Sequence, residues 1–130
     1  MLTEHEIQLR VRYNETDPMG YVHHSNYLTY FEIARTEMFR ASGGNYCEME
    51  RQGLRVVVTR AQCTYRRPAR YDDLLVIRTR ITRVSPAKIE HHYLVLRDGE
   101  SLAEGQVVLA VVNVQGVVQR VPDELNPYAP

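Results

Sequence analysis

Apolar and polar side chains alternate along the first part of the chain. Between Glu6 and Tyr13 every second residue is apolar, and the residues between them are charged or polar. A period of two is typical of a strand with one buried face. The pattern therefore predicts a first strand over residues 6–13.

A different spacing follows from about His24 to Ser42. Here apolar residues recur at intervals of four and three, at Tyr27, Phe31, Ala34, Met38 and Ala41. This spacing places them on one face of a helix, which is predicted to be the only long helix of the chain. Ser25 or Asn26 is the predicted N-cap, and Gly43-Gly44 permits the left-handed backbone that ends many helices.

The rest of the chain predicts an antiparallel meander. Its strands are expected at residues 54–65, 74–84, 89–97 and 102–114, with a short strand near 117–121. Asp98-Gly99 is a favourable hairpin turn. One strand, one long helix and a meander indicate an α+β fold, in which an antiparallel sheet of about five strands curls around the helix. We expect a single domain over residues 1–130, of which the proline-rich residues 122–130 form an irregular tail on the surface.

The last long strand has an unusual composition. From Val107 to Val114 it is apolar on both faces, which predicts a central strand. One face is expected to pack on the helix, and a partner subunit is the obvious candidate to cover the other.

Composition excludes several classes of partner. The chain has 16 Lys and Arg against 16 Asp and Glu, so no general field attracts nucleic acid or an anionic membrane. We expect no membrane span, because no apolar run is long enough, and no signal peptide, because the N-terminus lacks a basic start. These features predict a cytoplasmic protein. Cys47 and Cys63 are expected to be free and mostly buried thiols.

The residues between the first strand and the helix carry the most specific signal. They read Tyr13-x-x-Thr16-Asp17-x-x-Gly20-x-Val22-x-His24-x-x-Tyr27, followed by Tyr30-Phe31-Glu32-x-Ala34-Arg35. This motif resembles the signature of the hotdog-fold acyl-CoA thioesterases, and it is most similar to the 4-hydroxybenzoyl-CoA thioesterase group and its YbgC-like bacterial branch. The resemblance implies a hotdog fold and hydrolysis of an acyl-CoA carrying a short-chain or aromatic acyl group. It also implies a homodimer with sheets joined edge to edge, commonly doubled to a homotetramer.

The resemblance assigns roles to individual residues. Asp17 would be the catalytic carboxylate, as nucleophile or as general base, and Tyr13 and His24 would assist it. The residues expected to contact the substrate are Gly20, Val22, Asn26 and Tyr27. The chemistry is reasonable, because thioester hydrolysis needs a carboxylate beside positive groups, and the free N–H groups near His24 at a helix start provide the latter. A lone Asp before a helix is otherwise usually a turn residue.

Other candidate sites are weaker. Arg78, Arg80 and Lys88 are our sequence-based choice for the phosphates of coenzyme A, since guanidinium groups suit phosphate. No cofactor is expected, because coenzyme A is part of the substrate. The histidine pairs His23-His24 and His91-His92 lack a Cys or carboxylate at ligand spacing, so no metal site is expected. Glu32 and Arg35 are interpreted as helix-surface or interface ion partners.

Two other functional classes compete with hydrolysis. One is a hotdog dehydratase or hydratase acting on a hydroxyacyl or enoyl chain, which the turn from Thr16 to Gly20 disfavours. The other is a non-catalytic module that binds acyl-CoA or an acyl carrier, which the presence of Asp17 disfavours.

Overall fold

A computed structural model describes all 130 residues of the chain. The strands are β1 (Glu4–Arg10), β2 (Arg55–Tyr65), β3 (Leu74–Val84), β4 (Ile89–Arg97), β5 (Glu100–Val112) and β6 (Val118–Gln119). They form one antiparallel sheet in the order β1-β3-β4-β5-β2, and the short β6 pairs with β5. The helices are α1 (Ser25–Ala41) and α2 (Tyr46–Arg51). The predicted α+β architecture, with one long helix on the sheet, is confirmed.

Strand β5 lies inside the sheet, as its sequence predicts, because it pairs with both β4 and β2. Its residues Val107, Leu109 and Val111 are buried in the core. On the opposite face Val108 is only half-buried. Within one chain, one apolar face of this strand is therefore buried in the core, and Val108 on the other face remains partly exposed.

Strand β2 forms an edge of the sheet, since β5 is its only partner. Val58 and Tyr65 lie opposite the buried Leu109 and Ala103, so they belong to the face that carries the helix. Nevertheless, Val58 is 50% exposed and Tyr65 is 48% exposed. The helix thus covers the sheet incompletely and leaves an apolar strip on β2 open.

In the centre of the core, the Phe31 ring packs directly on the backbone of Gly105. Phe31 of α1 stacks on Tyr93 of β4 with ring centroids 4.5 Å apart. A Cβ atom at Gly105 of β5 would lie 2.2 Å from the Phe31 ring. Only glycine at this position lets the ring approach β5 so closely.

The first strand is shorter than predicted. It ends at Arg10, and residues Tyr13–Glu15 form a 3-10 turn instead of continuing the strand. The Glu15 side chain accepts a hydrogen bond from the Arg12 N–H at 2.8 Å, which stabilises the turn. Tyr13 is therefore not the last inward residue of a strand, and it is 77% exposed.

Helix α2 was missing from the sequence-based prediction. Its N-cap is Asn45, whose side chain accepts a hydrogen bond from the Glu48 N–H at 3.1 Å. This Asn-x-x-Glu pattern is a capping signal present in the sequence, but the helix has only 6 residues. Such a short segment carries too little periodicity to be recognised.

The predicted tail and cysteines differ in part from the structure. Leu125, within a second 3-10 turn at Asp123–Leu125, is buried together with Val121, so the tail is anchored to the core. Both cysteines are free, as predicted, but Cys47 is exposed and Cys63 is half-buried. Cys47 is exposed because it lies on the outer side of α2, whereas Met49 provides the buried side. The structure contains no helix whose length and apolar character would let it span a bilayer.

Candidate active site

A tight turn between β1 and α1 holds Asp17. Thr16 and Val22 pair as an isolated antiparallel bridge. Within the turn, the Asp17 N–H donates to the main-chain oxygen of Tyr21 at 2.7 Å, and the Gly20 N–H donates to the main-chain oxygen of Asp17 at 2.9 Å. Gly20 has φ +83°, a left-handed conformation that glycine adopts without strain. A side chain at Gly20 would meet no atom within 4 Å, so the turn requires glycine for its backbone conformation.

The turn orients the Asp17 carboxylate. Its Oδ1 atom accepts hydrogen bonds from the N–H groups of Met19, at 2.9 Å, and Tyr21, at 3.1 Å. The Oδ2 atom accepts no hydrogen bond from the chain. One oxygen is therefore fixed by backbone amides, and the other is free to act on a substrate or a water molecule.

Glu15 supports this turn through four hydrogen bonds. Its carboxylate accepts from the Tyr30 hydroxyl at 3.0 Å as well as from the Arg12 N–H. Its main-chain oxygen accepts from the His23 N–H at 2.8 Å and from the Asn26 side chain at 2.9 Å. Burial, followed by the bond to Glu15, raises the pKa of Tyr30, so this hydroxyl remains a donor. Sequence reasoning gave Glu15 no role.

The start of α1 differs in detail from the prediction. His24 is the N-cap and makes no side-chain capping bond, while Ser25 is already the first helical residue. The Ser25 hydroxyl bonds to the His23 ring and the Asn26 side chain bonds to Glu15, so neither side chain caps the helix. The N–H of His24 donates to no acceptor in the chain. It is available at the positive end of the helix dipole.

An open cleft brings these features together. Asp17 and His24 lie on its border, and the other lining residues are Tyr21, Val22, Tyr27, Tyr65, Arg66, Arg67 and Pro68. The Asp17 carboxylate and the helix start thus border the same space. This combination is what thioester hydrolysis needs.

Tyr65 forms part of one wall and was missed by the sequence reasoning. Its ring packs edge-on against Tyr27, with centroids 5.1 Å apart, and against His24, with centroids 6.4 Å apart. Its hydroxyl donates to the His24 main-chain oxygen at 3.1 Å. Burial raises the pKa of Tyr65 to about 12, so the hydroxyl keeps its proton at neutral pH.

Of the remaining residues predicted for the site, some line the cleft and others do not. Val22 and Tyr27 line the cleft and are buried, and the Tyr27 hydroxyl accepts from the Ala69 N–H at 3.3 Å. Tyr13 lies outside the cleft lining, where its ring packs on Tyr71 at 5.4 Å. Gly20 and Asn26 shape the turn, and neither lines the cleft.

The predicted phosphate-binding residues lie away from this cleft. Arg78 and Arg80 are on the outer face of β3, because the intervening Thr79 faces the core. Arg78 forms an ion pair with Glu6 at 2.8 Å. Lys88 is exposed in the turn between β3 and β4. No group of three or more His, Cys, Asp or Glu side chains is placed to hold a metal ion.

Comparison with known proteins identifies the family. The model of the thioesterase superfamily matches residues 19–104. The chain belongs to this superfamily. It is a thioester hydrolase with the hotdog fold, as its motif implied.

Individual relatives agree with this assignment. The chain is 35% identical over 109 residues to the acyl-CoA thioesterase YbgC of Haemophilus influenzae, covering 82% of this chain and 79% of that protein. Its structure resembles a probable thioesterase from Bartonella henselae, with a TM-score of 0.88 and 34% identity over 92% of this chain and 99% of the other. It also resembles a DHNA-CoA thioesterase from Staphylococcus aureus, with a TM-score of 0.89 and 28% identity over 95% and 84% of the two chains.

Proposed function

We propose that the chain hydrolyses the thioester of an acyl-CoA with a short-chain or aromatic acyl group, giving the free acid and coenzyme A. The observation that carries this proposal is that Asp17, whose Oδ2 has no hydrogen-bond partner in the chain, and His24, whose N–H has none, line the same cleft. The first supplies a nucleophile or base, and the second supplies a donor for the oxygen that gains negative charge.

Two routes are consistent with this geometry. In the first, Asp17 attacks the carbonyl carbon, the C–S bond breaks, coenzyme A leaves as a thiolate, and water hydrolyses the resulting anhydride. In the second, Asp17 takes a proton from water, and the hydroxide attacks the carbonyl carbon before the thiolate leaves. In both routes the His24 N–H bonds the oxygen of the tetrahedral intermediate. No cofactor or metal is required for either route.

We propose that the active form is at least a homodimer, joined through the free edge of β2. An edge strand of 11 residues with exposed apolar side chains is a surface that proteins normally cover. Val58 and Tyr65 are both exposed there, and Tyr65 also lines the cleft. A second chain at this edge would therefore complete the wall of the cleft and could double further into a tetramer.

The decisive experiment is a thiol-release assay with purified protein and a panel of short-chain, aromatic, long-chain and enoyl-CoAs. We expect rapid release of coenzyme A from at least one short-chain or aromatic member. Hydration of an enoyl-CoA without thiol release would instead identify a hydratase. Tight binding of acyl-CoA with neither reaction would identify a binding module.

A further inference from the structure

The loop after β2 carries two arginines that line the cleft and a third that packs on a lining residue, Tyr21. Residues 66–70 contain Arg66, Arg67 and Arg70 and no acidic residue. Arg66 and Arg67 line the cleft itself. The loop is bonded to the turn that holds Asp17, because the Val22 N–H donates to the Ala69 oxygen at 2.8 Å. Its position relative to the reacting groups is therefore fixed by backbone hydrogen bonds.

Arg70 carries a positive charge that no carboxylate of the chain neutralises. Its guanidinium carbon lies 5.3 Å from the ring centroid of Tyr21, which lines the cleft. Arg70 takes part in none of the ion pairs of the structure. The aromatic ring thus orients the guanidinium without satisfying its N–H donors.

Arg66 and Arg67 have acidic partners, but both pairs are exchangeable. Arg66 contacts Glu104 at 3.0 Å and Arg67 contacts Glu100 at 2.8 Å, and the two arginine side chains are 48% and 65% exposed. Ion pairs with this exposure contribute little to stability. Glu104 also bonds to His92 at 2.8 Å, so this carboxylate keeps a partner when Arg66 turns to a ligand.

We propose that Arg70, assisted by Arg66 and Arg67, binds phosphate groups of the coenzyme A part of the substrate. The inference rests on the proposed function and names the subsite that would hold the coenzyme A part of the substrate. The planar guanidinium matches two phosphate oxygens at once, and the three side chains belong to one loop beside the cleft. Arg78 and Arg80, by contrast, lie on the outer face of the sheet.

The test compares KM for the same acyl group attached to coenzyme A and attached to pantetheine. Wild type and Arg70→Gln are assayed with the acyl-CoA and with the same acyl group on pantetheine, which lacks the nucleotide and its phosphates. We expect Arg70→Gln to raise KM for the acyl-CoA about tenfold relative to KM for the pantetheine thioester, the loss typical of one hydrogen bond to a charged group. The Arg66→Gln/Arg67→Gln double variant should act in the same direction.

Two control variants locate the effect. Arg120→Gln removes an exposed arginine beside β6, at the opposite end of β5 from Ala103 and the cleft, and should leave the KM ratio unchanged. The Arg78→Gln/Arg80→Gln variant tests the competing position on the outer face. A change of the KM ratio in this last variant, and none in Arg70→Gln, would overturn the inference.

Calorimetric titration of the protein with coenzyme A separates this inference from the proposed function. Weaker binding of coenzyme A by Arg70→Gln, with unchanged binding by Arg120→Gln, supports the subsite even if no thioester is hydrolysed. Equal binding by wild type and Arg70→Gln overturns the subsite even if acyl-CoA hydrolysis is rapid. Hydrolysis of an acyl group on an acyl carrier protein, with none of the acyl-CoA, would also overturn it.

Discussion

The hydroxyl of Tyr65 donates a hydrogen bond to the main-chain oxygen of His24 across 3.1 Å, which ties the end of the edge strand to the start of the long helix. The same residue, His24, lines the cleft and has an N–H without a partner in the chain. The position of the proposed oxyanion donor therefore depends on a strand that lies far away in the sequence.

Replacement of Tyr65 by Phe tests this dependence, because it removes the hydroxyl and keeps the ring. We expect kcat to fall about threefold to tenfold with little change in KM, as for the loss of one ordinary hydrogen bond that positions a catalytic group. Steady-state kinetics on the best thioester provide the measurement. Tyr128→Phe, in the exposed tail, is the matched control, and an effect on KM alone would contradict the positioning role.

Asp17 and His24 should differ in the size of their effects. Asp17→Asn, nearly identical in size, should fold, bind acyl-CoA and lose about a thousandfold or more in turnover, as expected when a base or nucleophile is removed. His24→Ala should cost only about tenfold to a hundredfold, because its backbone N–H survives the substitution. Turnover and binding are measured for both, with circular dichroism to confirm folding. Near wild-type turnover of folded Asp17→Asn, in the absence of deamidation, would refute the role of Asp17.

The open strip on β2 predicts a link between assembly and activity. Val58→Asp places a charge on a side chain that is 50% exposed in the isolated chain, so the fold should tolerate it while association is disrupted. We expect a shift to monomer in sedimentation velocity and a parallel loss of hydrolysis. Val117→Asp, at a 57% exposed position before β6, should change neither. A fully active wild-type monomer at assay concentration would refute the link.

His91 should make folding stability depend on pH. It is buried under α1, and burial together with the positive charge of Arg35 lowers its pKa from 6.5 to about 4. Between these values the unfolded chain binds the proton and the folded chain does not. The stabilisation is therefore complete above pH 6.5 and decreases as the pH falls to about 4. Each unit of pKa difference corresponds to about 1.4 kcal/mol, so we expect a loss of about 3 kcal/mol between pH 7 and pH 4.

Denaturant unfolding of wild type and His91→Leu over this pH range checks the prediction. The variant lacks the titrating group, so the difference in its free energy of unfolding between the two pH values should be smaller by that amount. Parallel curves for the two proteins would show that another group is responsible.

Glu15 should matter for both stability and turnover, because its carboxylate accepts two of the hydrogen bonds that fix the segment holding Asp17. Glu15→Ala leaves the Tyr30 hydroxyl without its acceptor and should lower the free energy of unfolding by about 1–3 kcal/mol. Turnover should fall with it, since the turn loses these two side-chain bonds and keeps only the two bonds to the main-chain oxygen of residue 15. Glu37→Ala, which removes only a helix-surface ion pair with Arg40, is the control for both thermal unfolding and kinetics.

The parts of this molecule that depend on nearby residues were predictable from the sequence. The helix from Ser25 to Ala41 follows from local periodicity, and Asp17 and His24 follow from a motif contained in one short segment. Tyr65 was missed because its contact with His24 depends on the pairing of β2 with β5, which no local pattern specifies. The arginines of residues 66–70 were not singled out for the same reason.

The helix start shows a second limit. Ser25 and Asn26 are typical capping residues, yet Glu15 and His23 bind their side chains and His24 becomes the N-cap. Residue propensities located the start of the helix to within two residues, and competing hydrogen bonds to His23 and Glu15 determined which residue is the N-cap.

The contact between Phe31 and Gly105 has a consequence for the evolution of this chain. Because a Cβ at residue 105 would overlap the aromatic ring, substitution at either position changes what the other tolerates. In an alignment of related chains we expect the two positions to covary, with a larger residue at 105 only where residue 31 is small. The pair of residues found at positions 31 and 105 of each relative would then indicate how closely its helix lies against its sheet.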